Sequence, residues 1–105
     1  MNRKVWLIAG TIEGRRLADA LAAMQVEVYV SVATAYGASL YPDSPYLHVL
    51  QKRMTYADMC EFLREIKPEL VLDATHPYAV IVTETIRRAC EDTGFTYKRM
   101  LRPSS

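Results

Sequence analysis

Short apolar runs alternate with longer segments of helical periodicity along the whole chain, and this alternation constrains the fold more than any other feature. Residues 4–9 read as a buried strand, after which Leu17, Ala18, Leu21 and Ala22 recur at helical spacing through about Met24. Residues 27–32, rich in β-branched and aromatic side chains, form a second strand. A helix and no hairpin lies between the two strands, so they run parallel. Residues 33–45 carry Gly37, Pro42, Asp43, Ser44 and Pro45, a breaker cluster that predicts a long loop in place of a helix. A short third strand covers 48–50. Thr55 with Asp58 three residues on then resembles a capping box with a shortened acid, opening a helix with Met59, Cys60, Phe62, Leu63 and Ile66 inward and Pro68 past its end. A fourth strand covers 69–73. Pro77 stands where a helix's first turn tolerates proline, Ile81, Val82, Ile86 and Ala89 form that helix's apolar stripe, and Gly94 is its stop. Residues 95–99 supply a fifth strand.

Five strands alternating with three helices predict a three-layer, Rossmann-like α/β domain with a five-stranded parallel sheet, because right-handed crossovers place helices on both faces. The expected strand order is 3-2-1-4-5, with a flavodoxin-like order as the competitor. A length of 105 residues suits one such domain, spanning 1–105, and leaves no room for a second.

Composition narrows the function. Thirteen basic against twelve acidic side chains leave a net charge of +1, unlike an electrostatic nucleic-acid binder. Cys60 and Cys90 lack Cys-x-x-Cys spacing and His/Cys clustering, which argues against a disulfide framework or a structural zinc site and for buried thiols in a reducing compartment. The basic start before the apolar run at residues 5–9 resembles a leader, but the run is short and Glu13, Arg15 and Arg16 follow at once. No stretch approaches the roughly 18–20 apolar residues of a membrane span. The expectation is a cytoplasmic protein with neither nucleic acid nor membrane as partner.

Two segments fall at the carboxyl ends of predicted strands, where parallel sheets bind ligands. Gly10-Thr11-Ile12-Glu13-Gly14-Arg15 turns strand one into helix one, and a helix N-terminus there favours phosphate. The glycines follow Gly-x-x-x-Gly, not the dinucleotide fingerprint Gly-x-Gly-x-x-Gly, so a plain tight turn is the competing reading. No acid stands about 20 residues on to hold a ribose 2′-hydroxyl; Ser31, Thr34 and Tyr36 are there instead, which favours NADPH over NADH unless they merely end the strand. The second segment is Asp73-Ala74-Thr75-His76-Pro77-Tyr78. Either Thr75 or His76 caps the following helix, or His76 with Tyr78 donates hydrogen bonds or protons to a substrate. Arg99 and Arg102 end the last strand on the same rim and suit carboxylate or phosphate, unless they are simply solvated, as Lys52 and Arg53 can be.

With these segments laid out, the chain resembles the precorrin-6A reductases of cobalamin (vitamin B12) biosynthesis, the family that includes the cobalt-precorrin-6A reductases. Gly10-Thr11-Ile12-Glu13-Gly14-Arg15-Arg16-Leu17-Ala18 is similar to the family's opening turn, and the stretch from Ser31 to Gly37 to its strand-two segment. Asp73-Ala74-Thr75-His76-Pro77-Tyr78-Ala79, with Arg99 and Arg102-Pro103 some twenty residues later, is the most specific match. Lys52-Arg53 departs from the glycine that the family tends to have before a basic residue after strand three.

The resemblance implies an oxidoreductase that reduces a double bond of the precorrin-6A or cobalt-precorrin-6A macrocycle, with hydride from NADPH or NADH and without a metal or covalent nucleophile. It assigns Gly10, Thr11, Ile12, Glu13, Gly14 and Arg15 to the dinucleotide, Ser31 and Thr34 to its ribose end, and His76 and Tyr78 to the reacting centre. Thr75, Arg99 and Arg102 go to the acidic tetrapyrrole (corrin-type) substrate. Family members run to roughly two such domains, so this chain corresponds to the N-terminal half and is expected to be inactive without a C-terminal reductase domain. A competing reading is a non-catalytic nucleotide-binding or interaction half-domain that needs a partner. A generic short-chain reductase fits less well, since its Tyr-x-x-x-Lys pair is absent.

Overall fold

Along Lys4–Ile8 (β1), Val5 and Leu7 point to one face of the sheet while Trp6 and Ile8 point to the other, and this parity sorts the core into two halves. The computed structural model describes residues 3–100. In chain order β1 is followed by α1 (Ile12–Ala23), β2 (Glu27–Ser31), α2 (Ala35–Ser39), β3 (Leu47–Leu50), α3 (Tyr56–Ile66), β4 (Leu70–Asp73), α4 (Val80–Thr93) and β5 (Tyr97–Arg99). The five strands form one all-parallel sheet in the order β3-β2-β1-β4-β5, with Ile8 level with both Ser31 and Asp73. The expected Rossmann-like order is therefore the observed one.

On one face Val5, Leu7, Val28 and Val30 pack with Ala18 of α1 and, at the margin, Ala38 of α2. On the other, Trp6, Ile8 and Val71 pack with Leu63 of α3 and Ile86, Ala89 and Cys90 of α4. Each fully buried side chain of this size contributes about 1.5–3 kcal/mol. Trp6 meets Phe62 edge-on at 4.8 Å, and its indole N–H donates to Ser31 Oγ at 2.8 Å, so burial leaves no orphaned donor.

Local chemistry ends the helices where expected in most cases. Thr55 and Asp58 form a complete capping box, with Thr55 N donating to Asp58 Oδ2 at 3.0 Å and Asp58 N to Thr55 Oγ1 at 3.2 Å. α4 stops at Gly94, whose φ of 84° suits glycine.

Three expectations are corrected. Residues 33–45 are not all loop: Thr34 Oγ1 accepts from Gly37 N at 3.0 Å and caps the short helix α2, while the prolines that suggested a loop come only after it. α4 begins at Val80, with Ala79 as its cap residue, so neither Thr75 nor His76 caps it; Pro77 and Tyr78 form a turn closed by Ala79 N donating to His76 O at 2.9 Å. Ile81, expected inward, is 85% exposed. Ile86 sets the buried face, and five residues at 100° each leave Ile81 about 140° away from it.

Candidate functional site

β1 and β4 are neighbours whose following helices lie on opposite faces, so the chain diverges between them at the carboxyl rim. There the β1–α1 turn and the segment after β4 touch. A Cβ on Gly10 would stand 3.0 Å from Thr75 Cα and 3.3 Å from His76 N, and one on Gly14 would stand 2.6 Å from Ala74 Cβ. Thr11 accepts at Oγ1 from Gly14 N at 3.3 Å, capping α1, and donates from the same oxygen to Ala74 O at 2.9 Å. Gly10 is thus required first by the backbone of Thr75 and His76 and Gly14 by the Ala74 side chain, and the two sequence segments form one lip.

A cleft of about 360 Å³ opens on the α1 side of this lip. Gly10, Thr11, Ile12 and Arg15 form one wall, and Val32, Ala33, Thr34, Tyr36, Leu40 and Tyr41 form the opposite one. Burial raises the Tyr41 hydroxyl above its usual range, opposed by the nearby positive charge of Arg15. The α1 N-terminus brings the positive end of its peptide dipole to the cleft. Apolar walls, an arginine and a helix N-terminus together suit a nucleotide carrying phosphate. The volume lies at the lower end of the roughly 300–1,000 Å³ of small-molecule sites, too little for a whole macrocycle. A wider hollow of about 690 Å³ lies outside β3, between Tyr41, Asp43 and Gln51, away from both rim segments.

The other side of the lip is a buried polar network around Asp73. Its Oδ1 accepts from Thr75 N at 3.0 Å and Thr75 Oγ1 at 2.6 Å, and its Oδ2 from Thr83 Oγ1 and Tyr97 OH, both at 2.7 Å. Arg99 Nη1 stands 3.1 Å from Oδ2, and the guanidinium also donates to both threonine hydroxyls and to Thr75 O. Burial pushes the Asp73 carboxyl up, but the hydrogen bonds from Thr75, Thr83 and Tyr97 outweigh it and hold the carboxyl below its ordinary value of 3.8. Burial, and next the bond to Asp73, push the Tyr97 hydroxyl well above the phenol range. Asp73 therefore stays ionised and fixes the backbone on which His76 stands.

His76 and Tyr78 project from the turn beyond that network, ring centroids 4.7 Å apart, with Tyr78 N donating to His76 Nδ1 at 3.3 Å. Tyr78 is 87% exposed. Thr75 and Arg99 hold this lip in place. Ser31 and Thr34 are not brought together: Ser31 Oγ faces the Trp6 side of the sheet, whereas Thr34 lines the cleft on the other. Arg102 lies outside the described residues. Thr83 and Tyr97 were missed in the sequence because their roles exist only once α4 and β5 flank Asp73. Leu40 and Tyr41 were missed because breakers masked α2; the Thr34-to-Gly37 capping interval was the available signal.

The fold and rim define a Rossmann-like domain with its candidate site at the sheet's switch point. Residues 4–105 match the precorrin-6x reductase CbiJ/CobK family, and the chain belongs to that family. The cobalt-precorrin-6A reductase of Salmonella typhimurium is 37% identical over 99 residues, covering 94% of this chain and 37% of that protein. That of Synechocystis is 32% identical over 99 residues, covering 94% and 38%. The chain thus spans little more than a third of these relatives' length. The solved CobK precorrin-6A reductase superposes with a TM-score of 0.80 at 27% identity, covering 96% of this chain and 39% of that one. The Bordetella bronchiseptica enzyme WbmH, solved in complex with NAD+, shares the fold with a TM-score of 0.75 at 16% identity, covering 90% and 37%. Among the described residues no helix is long and apolar enough to cross a membrane.

Proposed function

We propose that this chain forms the dinucleotide-binding wall of a reductase that reduces a double bond of the precorrin-6A or cobalt-precorrin-6A macrocycle, using NADPH. The observation that carries this reading is the lip itself: in a chain of this family, the α1 N-terminus and the His76 turn are held within van der Waals contact of each other. A nicotinamide dinucleotide, when bound, supplies the hydride.

The chain's own residues bind and orient. Gly10, Thr11 and Ile12 at the α1 N-terminus, with Arg15 in its first turn, make up the phosphate-binding side of the cleft, and Thr34 and Tyr36 face them. His76 Nδ1 accepts a backbone N–H, so the neutral ring carries its proton on Nε2, available to a substrate atom. Tyr78 offers an exposed ring and hydroxyl next to it. Thr75 and Arg99 act through the lip, because their donors are engaged with Asp73 and its partners. Ser31, holding Trp6, is left out of the ribose site.

The alternative reading is a nucleotide-binding half-domain that turns nothing over without a partner domain, and the coverage of only 37–38% of its relatives favours it for the isolated chain. Calorimetric titration with NADPH tests the shared premise: the folded chain binds it, and a folded chain that binds none overturns the dinucleotide reading. A family-length polypeptide carrying this domain tests the rest. There His76→Ala should slow macrocycle reduction by about 10²-fold or more with NADPH affinity retained, and unchanged turnover would remove His76 from the chemistry.

A further inference from the structure

We propose that the open edge of β3, with the hollow beside it, is a docking surface for a second copy of this chain, the two sheets joining antiparallel through their β3 strands. β3 is an outer strand and pairs with β2 alone. Val28 N donates to Tyr46 O at 2.7 Å and Val32 N to Leu50 O at 2.9 Å, so Tyr46 and Leu50 turn their carbonyls toward β2. By alternation, Leu47, Val49 and Gln51 turn their backbone groups outward. Leu47 N is committed to Ser44 O at 3.2 Å, which leaves Leu47 O, both groups of Val49 and Gln51 N to a partner strand. Edges of this kind are blunted in many proteins by a proline within the strand. Here Pro42 and Pro45 come before the strand and line the hollow, and residues 46–53 contain no proline. β5, at the other edge, is shorter.

The edge is complementary to itself. A two-fold axis beside Val49 lets Val49 N of each copy donate to Val49 O of the other, and Gln51 N of each donate to Leu47 O of the other. The same axis sets Arg53 of each copy level with Pro45 of the other, close in sequence to Asp43. Asp43 is exposed on the wall of the hollow and Arg53 is exposed past the strand, and neither belongs to an ion pair among the described residues. Arg53 shares the parity of Val49 and Gln51, both of which line the hollow, so in a paired strand its guanidinium comes to the hollow's side of the sheet. Lys52, of the opposite parity, acts on Asp58 at the start of α3. The hollow, about 690 Å³ in volume, has room for the arginine, with Tyr41, Pro42 and Leu47 as apolar walls for its stem. One edge thus carries an acid before the strand and a base after it, as a contact between identical surfaces requires. A basic peptide from another protein would answer only the acid.

Sedimentation equilibrium of the wild-type chain, Gln51→Pro, Asp43→Lys and the double variant Asp43→Lys/Arg53→Asp tests this. Wild type should form a reversible dimer with a dissociation constant near or below about 0.1 mM at low salt, the range of small transient contacts. Raising the salt to about 0.5 M should weaken it severalfold. Gln51→Pro, which removes an outward N–H, and Asp43→Lys should each weaken it at least about tenfold. The double variant, with its charges exchanged, should recover most of the loss seen in Asp43→Lys. All the substituted positions are exposed, and unchanged circular dichroism and melting temperature show that the variants fold. A wild-type chain that stays monomeric at about 0.5 mM overturns the proposal. So does a dimer indifferent to both Gln51→Pro and Asp43→Lys, which would place the contact on another face. Failure of the double variant to recover overturns the pairing of Asp43 with Arg53 and the register built on it.

Discussion

The Thr11 hydroxyl donates to the Ala74 carbonyl at 2.9 Å, crossing from the β1–α1 turn to the end of β4, while the same oxygen caps α1 through Gly14 N. One side chain therefore ends a strand connection, starts a helix and joins two segments 63 residues apart in sequence. The cleft and the His76 turn inherit their relative position from this bond and from the glycine contacts beside it.

Gly14→Ala tests how tight that junction is. The new methyl would stand 2.6 Å from Ala74 Cβ, which is buried, so the helix must shift outward. Overpacking costs about 1–3 kcal/mol, offset in part by the better helix propensity of alanine, for a net loss of about 1–2 kcal/mol in urea denaturation. Adding Ala74→Gly should recover most of it. A single variant as stable as wild type would show the junction to be loose.

Asp73→Asn should cost about 2–4 kcal/mol, because it leaves the Arg99 guanidinium, 26% exposed at its side chain, without its carboxylate. The pH dependence has a definite sign. The folded carboxyl titrates below its ordinary value of 3.8, so its contribution is complete above that value and is lost as pH falls through the folded value. Thermal melts should show this acid limb in wild type and a shallower one in Asp73→Asn. Identical limbs would remove Asp73 from the acid stability of the fold.

Ser31→Ala deprives the buried Trp6 N–H of its acceptor and should cost about 1–3 kcal/mol. Trp6 is the chain's one tryptophan, so its emission reports the site directly. The substitution should destabilise the fold without weakening dinucleotide binding, since Ser31 lies across the sheet from the cleft. Weakened binding at full stability would return Ser31 to the ribose site.

Burial, and then the neighbouring Cys60, push the Cys90 thiol up to about 11. At about pH 8 its thiolate fraction is then of order one in a thousand, and access is blocked as well. Iodoacetamide followed by mass spectrometry should leave Cys90 unlabelled in the native chain and label it in urea. Rapid native labelling would contradict the packing of α3 against α4.

Much of this protein is written in local pattern. The period of the apolar residues marks the strands and the longer helices, Thr55 with Asp58 marks a helix start, and Gly94 marks an end, because each depends on a few adjacent residues and on backbone geometry alone. The family likeness was legible for the same reason: Gly10 to Ala18 and Asp73 to Ala79 are contiguous motifs. Even the parity that separates Ser31 from Val30 and Val32 is present in the sequence, but parity does not say which face carries the cleft. That was decided by the crossover of α1 onto the Val30 side. Tertiary structure alone gave Arg99 to Asp73, surrounded that carboxylate with Thr83 and Tyr97, and brought Arg15 to the cleft opposite Thr34 and Tyr36. Such pairings depend on strand register and helix phase across tens of residues, and a side chain's partners exist only once those separate elements have packed.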